Sequence, residues 1–188
     1  MAVARLTVNL NSIRENWRRL NSLSSSETAA VVKANAYGLC SSMVTAALAR
    51  EGVRTFFVAV AEEGQIVRET IGSEGAIYIF SGHMEGDTQF IRDYSLIPLI
   101  NSYDQLNRHL NLTKFHPFGL QLDTGMNRLG VGGKNWKDLL ELAISYKPKL
   151  IMSHLACADE SSHLMNKNQL RNFQELTKDI SVPRSLSA

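Results

Sequence analysis

Short hydrophobic runs alternate with helically spaced stretches along most of this chain. Six runs, most of them rich in β-branched or aromatic residues, have the length and composition of buried strands: Ala29–Val32, Thr55–Val60, Ala76–Phe80, Leu96–Ile100, Phe118–Leu122 and Leu150–Met152. Helical spacing is found over Ser42–Arg50, Glu62–Thr70, Tyr103–Leu110, Trp136–Tyr146 and Leu164–Lys178, and more weakly over Gly86–Tyr94. Regular alternation of strand and helix predicts right-handed βαβ units and a parallel sheet.

The two ends of the chain extend this pattern. Val3–Val8 is predicted as a strand, and an amphipathic helix is predicted from about Ser12, with Asn11 as its N-cap. At the other end, residues 181–188, SVPRSLSA, are predicted to lead into a seventh strand that is cut short.

Two parallel architectures fit this alternation, an open doubly wound sheet and an eight-stranded barrel. The glycine fingerprint of dinucleotide-binding sheets is missing, and Gly130–Lys134, GVGGK, lacks the spacing and the Ser/Thr of a P-loop. A complete barrel typically needs about 250 residues, whereas this chain has 188. We therefore predict an α/β fold of the (β/α)8 TIM-barrel type, truncated after about six βα units.

Composition and charge argue against several classes of protein. The net charge is +2 and the basic residues are scattered, so no footprint for nucleic acid or an anionic membrane stands out. The first residues lack the apolar core of a signal peptide, and no apolar run approaches the ~20 residues that span a bilayer. Cys40 and Cys157 are too few for a disulfide framework. These features predict a cytoplasmic protein that binds neither nucleic acid nor membrane.

Three polar segments follow predicted strands, where parallel α/β folds gather their chemistry. Lys33 ends the first strand, LDTGMNRLG at 122–130 follows the fifth, and SHLACAD at 153–159 follows the sixth. A lysine among small residues can form a Schiff base with a carbonyl cofactor. Arg128 can fork onto a carboxylate or phenolate, and His154 can stack on a planar ring. Taken singly, each also has an ordinary structural explanation, such as a solvent-facing lysine, an arginine paired with Asp123, or a core-edge histidine.

A metal site is the competing interpretation of the third segment. His154, Cys157, Asp159, Glu160 and His163 offer metal-ligand types within ten residues. However, the first lies at a strand end and the last would open the following helix, and no HExxH-type spacing supports a helical zinc site. The pattern therefore disfavours a metal hydrolase, and we expect no metal.

Taken together, the motifs AVVKANAYG, LDTGMNRLG and SHLACAD, in this order, resemble those of the pyridoxal-phosphate-dependent alanine racemases. The opening VNLNSIRENWRRL resembles the first strand and helix of that family, and the resemblance covers essentially the whole chain. Related barrel decarboxylases that use the same cofactor share a lysine strand ending in KAN, but not the tyrosine-glycine ending or DTGMNRLG.

The resemblance assigns roles to five residues. Lys33 would hold pyridoxal phosphate as a Schiff base and act as one of two acid–base groups at the substrate α-carbon. Tyr37 would reach the cofactor phosphate, and His154 would lie by the pyridine ring. Arg128 would bind near the cofactor phenolate and the substrate carboxylate. Gln121 stands where several members carry a modified lysine that orients this arginine, and its amide could take over that role without a charge.

The resemblance also implies a domain organisation and a function. Residues 1–188 would form an incomplete N-terminal barrel domain, with residues 1–10 as a strand that pairs with a C-terminal β domain absent from this chain. In a homodimer, that domain supplies the second catalytic base, a tyrosine. The activity implied is interconversion of L-alanine and D-alanine for peptidoglycan, and we expect this chain to be inactive alone. A serine or broad-specificity racemase and a non-catalytic pyridoxal-phosphate-binding barrel protein remain as alternatives.

Overall fold

The computed structural model describes residues 4–113 and 115–187, which fall into two compact units. The first unit contains the chain up to Phe80 together with Asp93–Leu96. The second contains Ser81–Arg92 and the chain from Ile97 onward. Within the described residues, no helix has both the length and the apolar character needed to cross a membrane.

The first unit is a three-stranded parallel sheet with helices between its strands. In chain order its elements are α1 Leu10–Ser22, β1 Ala30–Val31, a helical turn α2 Lys33–Tyr37, α3 Ser41–Glu51, β2 Thr55–Val58, α4 Ala61–Ile71 and β3 Ala76–Ile79. Strand β2 is central, with Phe56 opposite Ala30 on one side and Ile77 on the other. The side chains of Phe56 and Ile77 are fully buried, as expected for a sheet covered on both faces.

The second unit repeats the same plan. Its elements are α5 Thr88–Asp93, β4 Ile97–Ile100, α6 Tyr103–Thr113, β5 Gly119–Asp123, β6 Val131–Gly132, α7 Gly133–Ile144, β7 Ile151–His154, α8 Leu164–Thr177 and β8 Arg184–Ser187. Strand β5 lies between β4 and β7, and β8 pairs with the other edge of β7, all in parallel. The short β6 pairs with the end of β5. Trp136, Phe118 and Leu120 lie in the buried core of this unit.

Most predicted elements are confirmed with small changes at their ends. All six predicted strands and all six helically spaced stretches coincide with observed elements. The seventh strand expected near the end is also present, as β8, and it is in register with β7 from Ile151 to His154. Two elements were not predicted: the turn α2 and the two-residue strand β6. Both are too short to leave a periodic pattern in the sequence.

The start of the chain differs from the prediction. The helix begins at Leu10 rather than about Ser12, and its N-cap is Asn9 rather than Asn11. The Asn9 carboxamide accepts hydrogen bonds from the backbone N–H groups of Asn11 and Ser12, at 3.0 and 3.2 Å. Both residues carry suitable capping side chains, so the sequence alone could not choose between them. Residues 4–9 form no strand, Val3 lies outside the described residues, and the predicted pairing with a further domain stays a prediction.

Candidate active site

Lys33 follows the first strand directly, and its ammonium group lies between two aromatic rings. The Nζ atom is 5.6 Å from the centre of the Phe80 ring and 6.0 Å from that of Tyr37. The side chain is half-buried, and among the described residues it makes no hydrogen bond or ion pair. A cation over aromatic faces is held weakly and without a proton acceptor. The Lys33 amine therefore has no hydrogen-bonded partner that a reactant would need to displace.

The backbone after Lys33 turns in the left-handed sense. Ala34, Asn35, Ala36 and Tyr37 have φ of 50, 54, 52 and 55°, and the turn ends at Gly38 with φ of 85°. Such a conformation costs roughly 1–2 kcal/mol for each residue with a Cβ, so the turn stores several kcal/mol of strain. The small side chains of the motif limit crowding, but the handedness itself was not predicted from the sequence.

This strain predicts an unusual response to glycine. Ala34→Gly should stabilise the chain by about 0.5–1 kcal/mol, because glycine adopts positive φ without the Cβ penalty and Ala34 buries little surface. The matched control Ala46→Gly, inside the right-handed helix α3, should destabilise by about 1 kcal/mol. Urea unfolding of both variants checks the opposite signs. Destabilisation by both would show that the turn is not strained.

An aromatic stack supports the lysine. The ring of Phe57 on β2 is stacked between those of Tyr78 and Phe80, with centroid distances of 5.1 and 5.2 Å. Phe80, at the end of this stack, also lies under the Lys33 Nζ. From the sequence, Phe80 was predicted only as the last residue of a strand. Its position after the last residue of β3 was the available signal, since side chains there face the carboxyl edge of the sheet.

In the second unit, Asp123 organises the loop that carries the predicted arginine. One carboxylate oxygen accepts from the backbone N–H groups of Gly125 and Met126, both at 2.9 Å, and from that of Asn127 at 3.2 Å. The second oxygen accepts from Asn127 at 3.1 Å. Because these amides occupy Asp123, the suggested ion pair between Asp123 and Arg128 is not formed.

The same loop is closed where it returns to the sheet. Leu122 pairs with Val131 and Asp123 with Gly132, so the chain leaves β5 and comes back beside it. Gly130 makes this closure possible, since a Cβ there would lie 2.8 Å from the Asp123 nitrogen and 2.9 Å from the Gln121 carbonyl oxygen. The closed loop presents Arg128 at its exposed outer side, where the guanidinium has no hydrogen bond or ion pair among the described residues.

Gln121 is buried on β5, with 3% of its surface exposed. Its side-chain oxygen has no hydrogen-bond partner. An unsatisfied acceptor in such a position costs roughly 1–3 kcal/mol, and it marks a place where a donor is expected. No bond joins Gln121 to Arg128 in this structure, so the proposed orienting role remains a prediction.

A buried glutamine links the arginine loop to the histidine segment. Gln169 on α8 donates to the Thr124 hydroxyl at 3.2 Å and to the backbone carbonyl of His154 at 2.9 Å, and it accepts from the Ala156 N–H at 2.9 Å. Thr124 also bonds the Ser153 hydroxyl at 2.8 Å. His154 itself is half-buried at the end of β7. Gln169 was not predicted from the sequence, because a single glutamine on a helix forms no recognisable motif.

The competing metal interpretation gains no support from the geometry. His163 caps α8, with its Nδ1 accepting from the Met165 N–H at 3.2 Å, and the Cys157 sulfur contacts that of Met165 at 3.8 Å. Over residues 4–113 and 115–187, no three His, Cys, Asp or Glu side chains converge as a metal site would require.

Comparison with known proteins gives a consistent picture. Residues 8–188 match the family described as alanine racemase, N-terminal domain. Relatives called alanine racemase include one from a Ruegeria species, 51% identical over 188 residues, and one from Cereibacter sphaeroides, 54% identical over 190 residues. The alignments take in all of this chain and 54% of each relative. The chain thus spans about half the length of the curated relatives that it matches.

Solved structures agree with this result. An alanine racemase from Bartonella henselae, described with covalently bound pyridoxal phosphate, has a TM-score of 0.88 and 31% identity, over 95% of this chain and 55% of its own. A biosynthetic alanine racemase from Pseudomonas aeruginosa has a TM-score of 0.82 and 29% identity, over 94% of this chain and 51% of its own. These similarities confirm the predicted fold class and the resemblance inferred from the motifs.

Proposed function

Because this chain belongs to the alanine racemase family through its N-terminal domain, we propose that it forms the pyridoxal-phosphate-binding part of an enzyme that interconverts L-alanine and D-alanine. The observation that carries the proposal is the Lys33 amine, half-buried at a strand end, over an aromatic ring and without an ion partner. Once it has lost its proton, an amine without an ion partner can attack a carbonyl.

The residues present fit this cofactor. The aromatic faces of Phe80 and Tyr37 next to the Lys33 amine suit a planar ring. When bound, pyridoxal phosphate supplies an electron sink for the charge left after an α-proton is removed. Lys33 would anchor the cofactor and move that proton on one face through its Nζ atom.

The other assigned residues would orient the reactants. The Tyr37 hydroxyl would bind the cofactor phosphate. The exposed guanidinium of Arg128 can fork onto the substrate carboxylate. His154 would lie beside the cofactor ring, held at its backbone by Gln169. Gln121 would accept from Arg128 once that side chain turns inward.

The finer assignments rest on the family. We propose that the substrate is alanine, that the product supplies D-alanine for peptidoglycan, and that the complete enzyme is a homodimer in the cytoplasm. The free thiols of Cys40 and Cys157 are consistent with a reducing compartment. The acid–base group for the opposite face of the substrate would come from a C-terminal β domain outside these 188 residues.

Borohydride trapping tests the proposal. Mixed with pyridoxal phosphate and reduced, the chain should carry one cofactor mass on the peptide that contains Lys33, because this amine has no competing ion partner. Lys33→Ala should lose the label, whereas Lys134→Ala, at the start of α7 in the other unit, should keep it. A label that persists in Lys33→Ala would contradict the assignment.

The same chain tests the prediction that a second base is required. The 188-residue chain with pyridoxal phosphate should not interconvert the alanine enantiomers faster than free cofactor does, since one proton-transfer group serves one face only. Chiral analysis in heavy water would show slow deuterium exchange with retained configuration. Full interconversion by the chain would refute the requirement for a further domain.

A further inference from the structure

Glu63 joins the segment after Lys33 to the end of the neighbouring strand. It lies in the first turn of α4, and its two carboxylate oxygens bond to different parts of the chain. Oε1 accepts from the backbone N–H of Ala34 at 2.7 Å, and Oε2 accepts from that of Ala59 at 2.7 Å. The carboxylate is therefore a bridge between the ends of β1 and β2.

Only one of these two bonds has a local explanation. Ala59 lies just before α4, and a glutamate in the first turn commonly reaches back to the start of its own helix. Ala34 is 29 residues away in sequence, so helix capping does not account for it. Hydrogen bonds to an ionised carboxylate are short and about twice as strong as neutral ones.

The Ala34 amide is at the point where the strained turn begins. Ala34 is the first residue with left-handed φ, and its N–H belongs to the peptide group that directly follows Lys33. The Ala34 side chain is exposed, so packing of that side chain does little to hold it. The bond to Glu63 ties this peptide group to the first turn of α4.

We propose that Glu63 is a positioning residue for Lys33. By fixing the peptide group after the lysine to the end of β2, its carboxylate holds the left-handed turn and directs the Nζ atom over Phe80. The inference rests on the proposed role of Lys33 as the cofactor-binding amine. Glu63 touches neither reactant and acts through the backbone alone.

Glu62 provides a matched control. It is adjacent, carries the same charge in the same first turn, and its exposed side chain makes no hydrogen bond or ion pair among the described residues. If Glu63 acted merely as a negative charge near the helix N-terminus, both residues would contribute alike. The variants Glu63→Gln and Glu62→Gln therefore separate the bridge from the charge.

The first measurement follows the bridge itself, without cofactor. In ¹⁵N-alanine-labelled protein, Glu63→Gln should move the Ala34 amide proton upfield and speed its hydrogen exchange about tenfold, since a carboxamide has one acceptor oxygen for two amides. Glu62→Gln should leave the chemical shifts and exchange rates of the Ala34 and Ala59 amides unchanged. Glu63→Asp keeps the negative charge but has a side chain too short to bond both amides, so it should behave like Glu63→Gln. It serves as the test variant if Glu63→Gln fails to fold.

The second measurement follows the lysine. The reducible adduct at Lys33 should form about tenfold more slowly in Glu63→Gln, with an unchanged rate in Glu62→Gln. If the unsubstituted chain forms no adduct, the proposed function fails, whatever Glu63 does. If the unsubstituted chain and Glu63→Gln react at equal rates, the proposed function stands and the positioning role is overturned. Unaltered Ala34 exchange in Glu63→Gln would also overturn it.

Discussion

Gly130→Ala is expected to destabilise the second unit by about 3 kcal/mol or more, with the Arg128 loop displaced. Two effects add at this position. Its φ of 104° is unfavourable for any residue with a Cβ. An added Cβ would also lie 2.8 Å from the Asp123 nitrogen, 2.9 Å from the Gln121 carbonyl oxygen and 3.0 Å from the Leu122 carbonyl carbon. All three are backbone atoms of β5, which cannot move without breaking the sheet.

Two further glycines separate these effects. Gly86 has a φ of 91° but open space around its Cβ position, so Gly86→Ala should cost about 1–2 kcal/mol from backbone strain alone. Gly132 has a φ of −68° and also open space, so Gly132→Ala should stay within about 1 kcal/mol of the unsubstituted chain. Provided that the m-values are equal, the denaturant midpoints of the three variants rank these losses of stability. Equal costs at Gly130 and Gly86 would show that the loop does not return against β5.

Acidification from pH 7 to pH 4 is expected to destabilise the second unit through a buried pair of histidines. His83 and His109 are fully buried, and their Nδ1 atoms are 3.2 Å apart. The His109 Nε2 faces the His116 carbonyl at 3.0 Å, so it must donate, which leaves its Nδ1 as an acceptor. His83 then donates from Nδ1, and its Nε2 accepts from the Thr88 hydroxyl at 3.0 Å.

This arrangement requires both rings to be neutral. Burial lowers the pKa of His83 to about 4, helped by the positive charges that His109, Arg108, His116 and Arg92 direct towards it. Burial likewise lowers the pKa of His109 to about 4, with the His116 charge acting in the same direction and the bond to the His116 carbonyl opposing it. A second proton on His109 would place its Nδ1–H against that of His83, and one on His83 would lie at Nε2, where the Thr88 hydroxyl would have to turn from donor to acceptor.

The sign of the effect follows from the unfolded state. Between pH 6.5 and about 4, the unfolded chain binds protons that the folded one does not, so stability falls as the pH falls through that window. Above pH 6.5 both histidines are neutral in the folded and the unfolded chain, so the pair does not lower the free energy of unfolding. For one histidine, a difference of about 2.5 units between the unfolded and folded pKa lowers the free energy of unfolding by about 3 kcal/mol at low pH. We expect the coupled pair to lower it by at least that much.

Urea unfolding at a series of pH values measures this loss. His83→Gln keeps a neutral donor and acceptor but cannot titrate, so the fall in unfolding free energy between pH 6.5 and 4 should be clearly smaller. His163→Asn is the control, because it removes an exposed histidine and keeps a good cap for α8. The same pH slope in His83→Gln and the unsubstituted chain would contradict the assignment of this pair.

Elements with a long local pattern were predictable from the sequence. The β-branched and aromatic residues of the buried runs on β2, β3 and β5 predict strands, and the apolar spacing of stretches such as α8 predicts helices. The position of Lys33 at a strand end followed from the same pattern. The resemblance to the racemase family was carried by three motifs and is confirmed by a match over residues 8–188. These features depend on residues close together in the chain.

Features that depend on contacts between distant residues were decided by the tertiary structure alone. The bond between Glu63 and the Ala34 N–H joins residues 29 apart in sequence, and no local pattern in KANAY predicts the positive φ of the turn after Lys33. The orphaned oxygen of Gln121 likewise depends on tertiary structure, because it is buried on β5, which lies between β4 and β7. The local sequence determines which backbone conformations are low in free energy. Strained turns and buried polar groups persist only where contacts that form on folding stabilise them.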